Sequence, residues 1–190
     1  MTIFYTGKGD RGKSVMGGAK ISKDDPLFDV LGSLDEVNSL VGWCRASISE
    51  KREVKSAKLT DVSEKLLEIQ ETLFIAQAEI GAIGMGQRMA VQVTKAKTQE
   101  IEKEIDAIDR ILPPIKNFII PGASELSARL DIARAAARNA ERMLVAYASK
   151  RTTVSPDLIQ YMNRLSSILF ALARLVNHRL KKTESNPRYR

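Results

Sequence analysis

Residues 7–14 read GKGDRGKS, and their types and spacing suit the wrapping of a polyphosphate. Gly7, Gly12, Lys13 and Ser14 meet the G-x-x-x-x-G-K-[ST] spacing, and Gly7, Gly9 and Gly12 meet the G-x-G-x-x-G spacing. Glycines let the backbone turn its N–H groups toward an anion. Lys8 and Lys13 add charge, Ser14 adds a hydroxyl, and Lys23 follows as a further cation for a phosphate. A second group lies at Arg134, Arg138 and Glu141, spaced i, i+4, i+7 on one helical face with Arg142 beside it. Planar guanidinium groups suit phosphate or carboxylate. The plainer reading is a solvated helix face, but this one adjoins an alanine-rich stripe where unpaired arginines are costly. Asp35 and Glu36 are candidate partners, within the chain or from another subunit. In the first turn of a helix, though, Asp35 is also what the macrodipole favours. Phe118, in an apolar run before Pro121, reads as a core residue. Asn163, beside an apolar stripe, reads equally as a satisfied bundle residue or a ligand contact.

The two glycine-loop patterns ordinarily sit between a strand and a helix, with further βα units behind them. Here only Ile3–Thr6 precede the loop, and SVMGGAKI after it does not read as a helix. The periodicity predicts five helices instead. The first starts at Ser33, where Ser33 and Glu36 fit a capping box, and runs to about Glu50. A polar connection extends to about Lys58. The second helix spans about Thr60–Ile83 and the third about Thr94–Leu112, stopped by Pro113 and Pro114. Residues 115–123 read as extended and apolar. The fourth helix spans about Ser124–Ser149, with small residues in its seam that allow close helix approach. The fifth is capped by Ser155, with Pro156 at its first turn, and ends near Leu180. The expectation is an all-α, up-and-down five-helix bundle. It forms a single domain over residues 1–190, with a glycine-rich N-terminal arm over 1–32 and a frayed tail over 181–190.

Composition narrows the function. The one histidine, His178, and one cysteine, Cys44, exclude an internal disulfide, a Cys/His zinc site and a di-iron bundle. The single cysteine favours a reducing compartment. No apolar run approaches the ~20 residues of a membrane span, so a cytoplasmic protein is expected. The net charge of +7 suits an anionic ligand. The cations are mixed with acids except in the tail, so nucleic acid is not expected as a partner.

YTGKGDRG, SKDDP, GSLDEVNS, FIIPGASELSARLDIARAAARNAER and NRLSSILFALAR occur in that order. Together they resemble the PduO-type ATP:corrinoid adenosyltransferases over about Thr6–Asn177. The resemblance implies a five-helix bundle, a homotrimer with active sites between subunits, and transfer of the 5′-deoxyadenosyl group of ATP to the Co(I) of cobalamin with release of triphosphate. ATP and cobalamin would be substrates, with Mg²⁺ carried mainly on the ATP phosphates. A reductase and a cobalamin-dependent enzyme would be partners. By position, Thr6, Gly7, Gly9, Asp10, Gly12 and Ser14 would wrap the triphosphate, with Lys23 adding charge. Arg134, Arg138, Glu141 and Asn163 would hold phosphates and adenosine. Asp35 would pair with Arg134 across the subunit interface, and Phe118 would pack under the corrin. The family usually carries a basic residue at Gly7, a small one at Lys8, a second arginine at Asn139 and an acid at Ser167. The competing expectations are a helical ATP-binding regulator without transfer chemistry, a P-loop kinase or NTPase, and a basic nucleic-acid module.

Overall fold

The computed structural model describes residues 4–50, 59–87, 90–150 and 154–189. Ile3 and the polar connection expected up to Lys58 lie outside the described residues. Two short strands, β1 (Lys13–Met16) and β2 (Ala19–Ser22), pair antiparallel, with Ser14 opposite Ile21. Five helices follow: α1 (Pro26–Glu50), α2 (Thr60–Gly84), α3 (Lys95–Asp109), α4 (Glu125–Ala148) and α5 (Pro156–Arg179). The all-α bundle expected from periodicity is the observed fold, with the hairpin as its only regular addition among the described residues.

The first helix begins seven residues earlier than the periodicity suggests. Asp25 Oδ1 accepts the N–H of Leu27 at 2.9 Å, and Pro26 occupies the first turn, where a missing N–H costs nothing. Ser33 is therefore no cap: it is buried in the second turn and its hydroxyl donates to the Val30 carbonyl. The N-terminal arm consequently ends at Asp25 rather than residue 32. The cap expected at Ser155 is present, accepting the Leu158 N–H. Ser124 caps α4 reciprocally with Ser127.

Packing places the helices in the order α2, α1, α4, α5, α3, with α4 at the centre between α1 and α5. Side-chain contacts set the directions. Arg45 on α1 reaches Gln70 on α2, while Leu27 meets Gly84 at the other end of the pair, so these two helices are antiparallel. Asn163 meets Glu141, and Asn177 meets Ser124, making α4 and α5 antiparallel as well. The seam of α4 is fully buried at Leu130, Ala133, Ala137, Ala140 and Leu144. The alanines let α1 (Leu34, Val37, Val41) and α5 (Leu165, Leu169, Leu172) pack close to its axis. Each buried large aliphatic side chain contributes about 1.5–3 kcal/mol relative to exposure. Glu79, buried at 1% exposure, accepts the Val93 N–H at 3.0 Å and the Ser155 hydroxyl at 2.8 Å. It thereby ties α2 to the connection before α3 and to the start of α5.

Candidate active site

The glycine loop is a turn held by its own backbone. Gly7 and Gly12 have φ of +67° and +71°, in the left-handed region that glycine enters without strain. The Gly12 N–H donates to the Gly9 carbonyl at 3.2 Å, and the Lys23 N–H donates to the Gly12 carbonyl at 2.9 Å. The second bond closes the hairpin, setting Lys23 directly beside the loop. A Cβ on Gly9 would stand 3.0 Å from Lys23 Nζ, so the absence of a side chain there lets the ammonium lie against the loop. Thr6, Lys8, Asp10 and Lys13 are exposed around the same turn, and Ser14 is half-buried on β1. The Thr6 hydroxyl accepts the Lys8 N–H. The hairpin rests on the end of α2, where the Met16 methyl would lie 3.1 Å from a Cβ on Gly81.

The arginine face lies elsewhere. Arg134, Arg138, Phe118 and Phe170 line a cleft of about 840 Å³, between the segment before α4, the helices α4 and α5, and the C-terminal residues Asn186, Pro187 and Tyr189. Arg134 Nε donates to Asp131 at 3.0 Å, and its guanidinium sits 6.0 Å from the Phe170 ring centroid. Arg138 is exposed. Glu141 accepts the Asn163 amide at 2.8 Å, which joins two expected site residues on neighbouring helices. Arg164 donates to the other side of Asn163 at 2.6 Å. Asn163 is thus both satisfied within the bundle and exposed at its surface.

Three expectations are corrected here. Phe118 is not a core residue: it is 80% exposed, at the mouth of the cleft. The C-terminal tail is not frayed through its described length: the Ile120 N–H donates to the Ser185 carbonyl at 2.8 Å, and Asn186 donates to the Phe118 carbonyl at 2.7 Å. Asp35 lies in the third turn of α1 rather than the first, so the macrodipole no longer accounts for it. It is exposed, and within the chain Arg134 takes Asp131 as its ion partner.

Among the described residues, no hydrogen bond or ion pair joins residues 6–23 to Arg134, Arg138, Glu141 or Asn163. The start of α1 lies instead against Met143, Tyr147 and Lys150, near the end of α4. Arg138 is ten residues before Ala148, about 15 Å along the helix axis. Sequence reasoning missed the tail residues that line the cleft. It also missed Phe170, whose helical spacing from Asn163 placed it on the same side of α5. Cys44 takes no part: burial pushes its thiol up to about 12 despite the nearby Arg129, leaving an inert core group.

The glycine loop with its lysines suits a polyphosphate, and the arginine face with its exposed aromatic is a separate surface suited to phosphate, carboxylate or an aromatic group. Comparison with known proteins agrees. The family model described as cobalamin adenosyltransferase matches residues 4–176. A corrinoid adenosyltransferase from Bacillus subtilis is 34% identical over 176 residues, covering 93% of this chain and 87% of its own. The human corrinoid adenosyltransferase MMAB is 33% identical over 176 residues, 90% of this chain and 67% of the relative. Among solved structures, a phenylalanine-to-histidine variant of a PduO-type ATP:corrinoid adenosyltransferase from Lactobacillus reuteri, complexed with cobalamin and ATP, superposes with a TM-score of 0.87 at 29% identity. That alignment covers 97% of this chain and 96% of the other. The chain belongs to the cobalamin adenosyltransferase family.

Proposed function

We propose that this protein transfers the 5′-deoxyadenosyl group of ATP to the Co(I) of a cobalamin, forming adenosylcobalamin and releasing triphosphate. The observation that carries the reading is the cleft that sets an exposed Phe118 beside Arg134 and Arg138, on a chain whose relatives carry that name. The Co(I) electron pair attacks C5′ of ATP. A Co–C bond forms, the C5′–O bond breaks, and its electron pair leaves on the triphosphate. No proton moves at the reacting carbon, so the protein needs no general base. Its work is alignment of C5′ with cobalt and stabilisation of the leaving charge.

The residues divide accordingly. The loop of Thr6, Gly7, Lys8, Gly9, Asp10, Gly12, Lys13 and Ser14, with Lys23, holds the triphosphate. Arg138, Glu141 and Asn163 hold phosphate and adenosine, and Arg134 serves both phosphate and interface. Mg²⁺ would arrive on the ATP phosphates and neutralise them. Phe118 packs against the corrin face. An apolar ring there excludes water and an axial ligand, which raises the Co(II) reduction potential and makes Co(I) accessible.

The loop and the arginine face lie apart within one chain, which supports a site shared between copies. In a homotrimer, the loop of one copy would meet the arginine face of the next, and Asp35 would reach Arg134 across that boundary. Among the described residues no helix is long and apolar enough to cross a membrane. A cytoplasmic setting suits a Co(I) substrate, which needs a reductase to form it and a cobalamin-dependent enzyme to use the product.

The test is an anaerobic assay with ATP, Mg²⁺ and chemically reduced cob(I)alamin, following loss of the Co(I) absorbance and identifying the phosphate product. Adenosylcobalamin with intact triphosphate is expected. ATP binding with no transfer would overturn the reading.

A further inference from the structure

We propose that the C-terminal residues 184–186 are a clamp that positions Phe118, with Asn186 and Glu184 as the positioning residues. The proposal rests on the reading that Phe118 faces the corrin. The segment between α3 and α4 belongs to no helix and, apart from the single bridge at Ile120, to no sheet. It presents Ile115, Phe118 and Ile120 to solvent. Its backbone is held from outside, at three points. The Arg174 guanidinium on α5 donates to the Pro113 carbonyl at 3.0 Å, Asn186 Nδ2 donates to the Phe118 carbonyl at 2.7 Å, and the Ile120 N–H donates to the Ser185 carbonyl at 2.8 Å. Two of the three come from the tail.

The tail is itself fixed by a buried charge. Arg174 is 6% exposed, and Glu184 accepts its Nε at 3.2 Å. The other Glu184 oxygen accepts Asn177 Nδ2 at 3.2 Å, and Asn177 Oδ1 accepts the hydroxyl of Ser124, the cap of α4. A buried guanidinium without its carboxylate is costly, so Glu184 locks the tail in place, and Asn186 then reaches the carbonyl of the aromatic residue. Phe118 excludes an axial ligand only if its ring is held at one place, and an exposed ring gains little from packing. The clamp supplies that restraint through the backbone on either side of the ring's residue, at the Phe118 carbonyl and the Ile120 N–H.

The test compares Asn186→Ala, Asn186→Asp (same size, no donor) and Glu184→Gln with the wild type, by three readouts. Hydrogen exchange over residues 115–123 in the ligand-free protein is expected to quicken in all three variants. Turnover from Co(II)alamin with a reductant is expected to fall about five- to tenfold, because a small misplacement of a positioning group is amplified in rate. The KM for ATP is expected to stay within about twofold, as for a loss confined to the other substrate. The electron paramagnetic resonance signal of four-coordinate Co(II) in the ternary complex is expected to weaken in parallel, while transfer from chemically reduced Co(I) is largely kept. Both Asn186 variants with wild-type exchange and a wild-type Co(II) signal would overturn the clamp. Wild-type protein that transfers nothing, with quickened exchange in the variants, would overturn the functional reading and leave the clamp supported.

Discussion

Phe118 shows how far a single residue's role depends on where its backbone is held. An aromatic ring in the run KNFIIPG would ordinarily be buried, yet here it is 80% exposed beside two arginines. Its removal therefore leaves the core intact and alters only the cleft. Phe118→Ala is expected to keep ATP affinity and thermal stability while losing most turnover from Co(II)alamin with a reductant. Steady-state kinetics beside ATP titration check it, and unchanged turnover would sink the corrin-facing role. The opposite case is Cys44, whose chemistry is silenced by burial.

At the scale of elements, the ends of the helices are set by short polar signals. Asp25–Pro26 is the same cap-and-proline pair as Ser155–Pro156, and it places the start of α1 directly after the hairpin. Asp25→Ala is expected to destabilise the protein by about 1 kcal/mol, and to loosen the hairpin that α1 follows. Urea unfolding measures the first effect. The pair between α2 and α5 adds a pH-dependent term. Hydrogen bonding from Arg179, with Nη–Oδ distances of 2.5 and 2.7 Å, holds the Asp61 carboxyl below its usual value of 3.8. A lowered folded-state pKa gives stability that is present above the unfolded value and lost as pH falls through the folded one. Asp61→Asn is therefore expected to cost up to about 1 kcal/mol near neutral pH, as for other exposed pairs. The difference from wild type should vanish as pH falls below Asp61's lowered value. A denaturation series from neutral to strongly acidic pH checks this, and a difference that persists in acid would discount the ion pair.

The whole molecule raises the question of how one ATP would meet both proposed groups. In one chain the loop stands at the α2 end of the bundle and the arginines stand on the middle of α4. If neighbouring copies complete the site, a loop variant and a face variant complement one another. Lys23→Ala and Arg138→Ala, each expected to lose most activity alone, are expected to recover about a quarter of wild-type turnover after co-refolding, the statistical share of sites built from two intact halves in a cyclic assembly. No recovery in a mixed oligomer would place both halves in one copy. The same boundary predicts non-additive losses for Asp35→Asn and Arg134→Ala in a double-mutant cycle on transfer rate. Additive losses would leave Arg134 to its partner Asp131.

The amino-acid sequence by itself determined the five helices, because their signals are local: apolar spacing, a Ser–Pro cap, a Pro–Pro stop. It also singled out the two candidate groups, because glycine, lysine and arginine spacings along one segment already limit what they can hold. Ser33 misled because S-x-x-E occurs inside helices as well as at their starts, and the competing Asp–Pro signal lay seven residues upstream. What tertiary structure alone decided was every relation between distant segments. The joining of Glu141 to Asn163, the docking of the tail at residues 184–186 onto 118–120, and the exposure of Phe118 all depend on contacts between segments far apart in the chain. No local pattern records such contacts, because the geometry that brings the partners together comes from the packing of α4 against α5 and from the bonds that fix the tail on α5, not from local sequence.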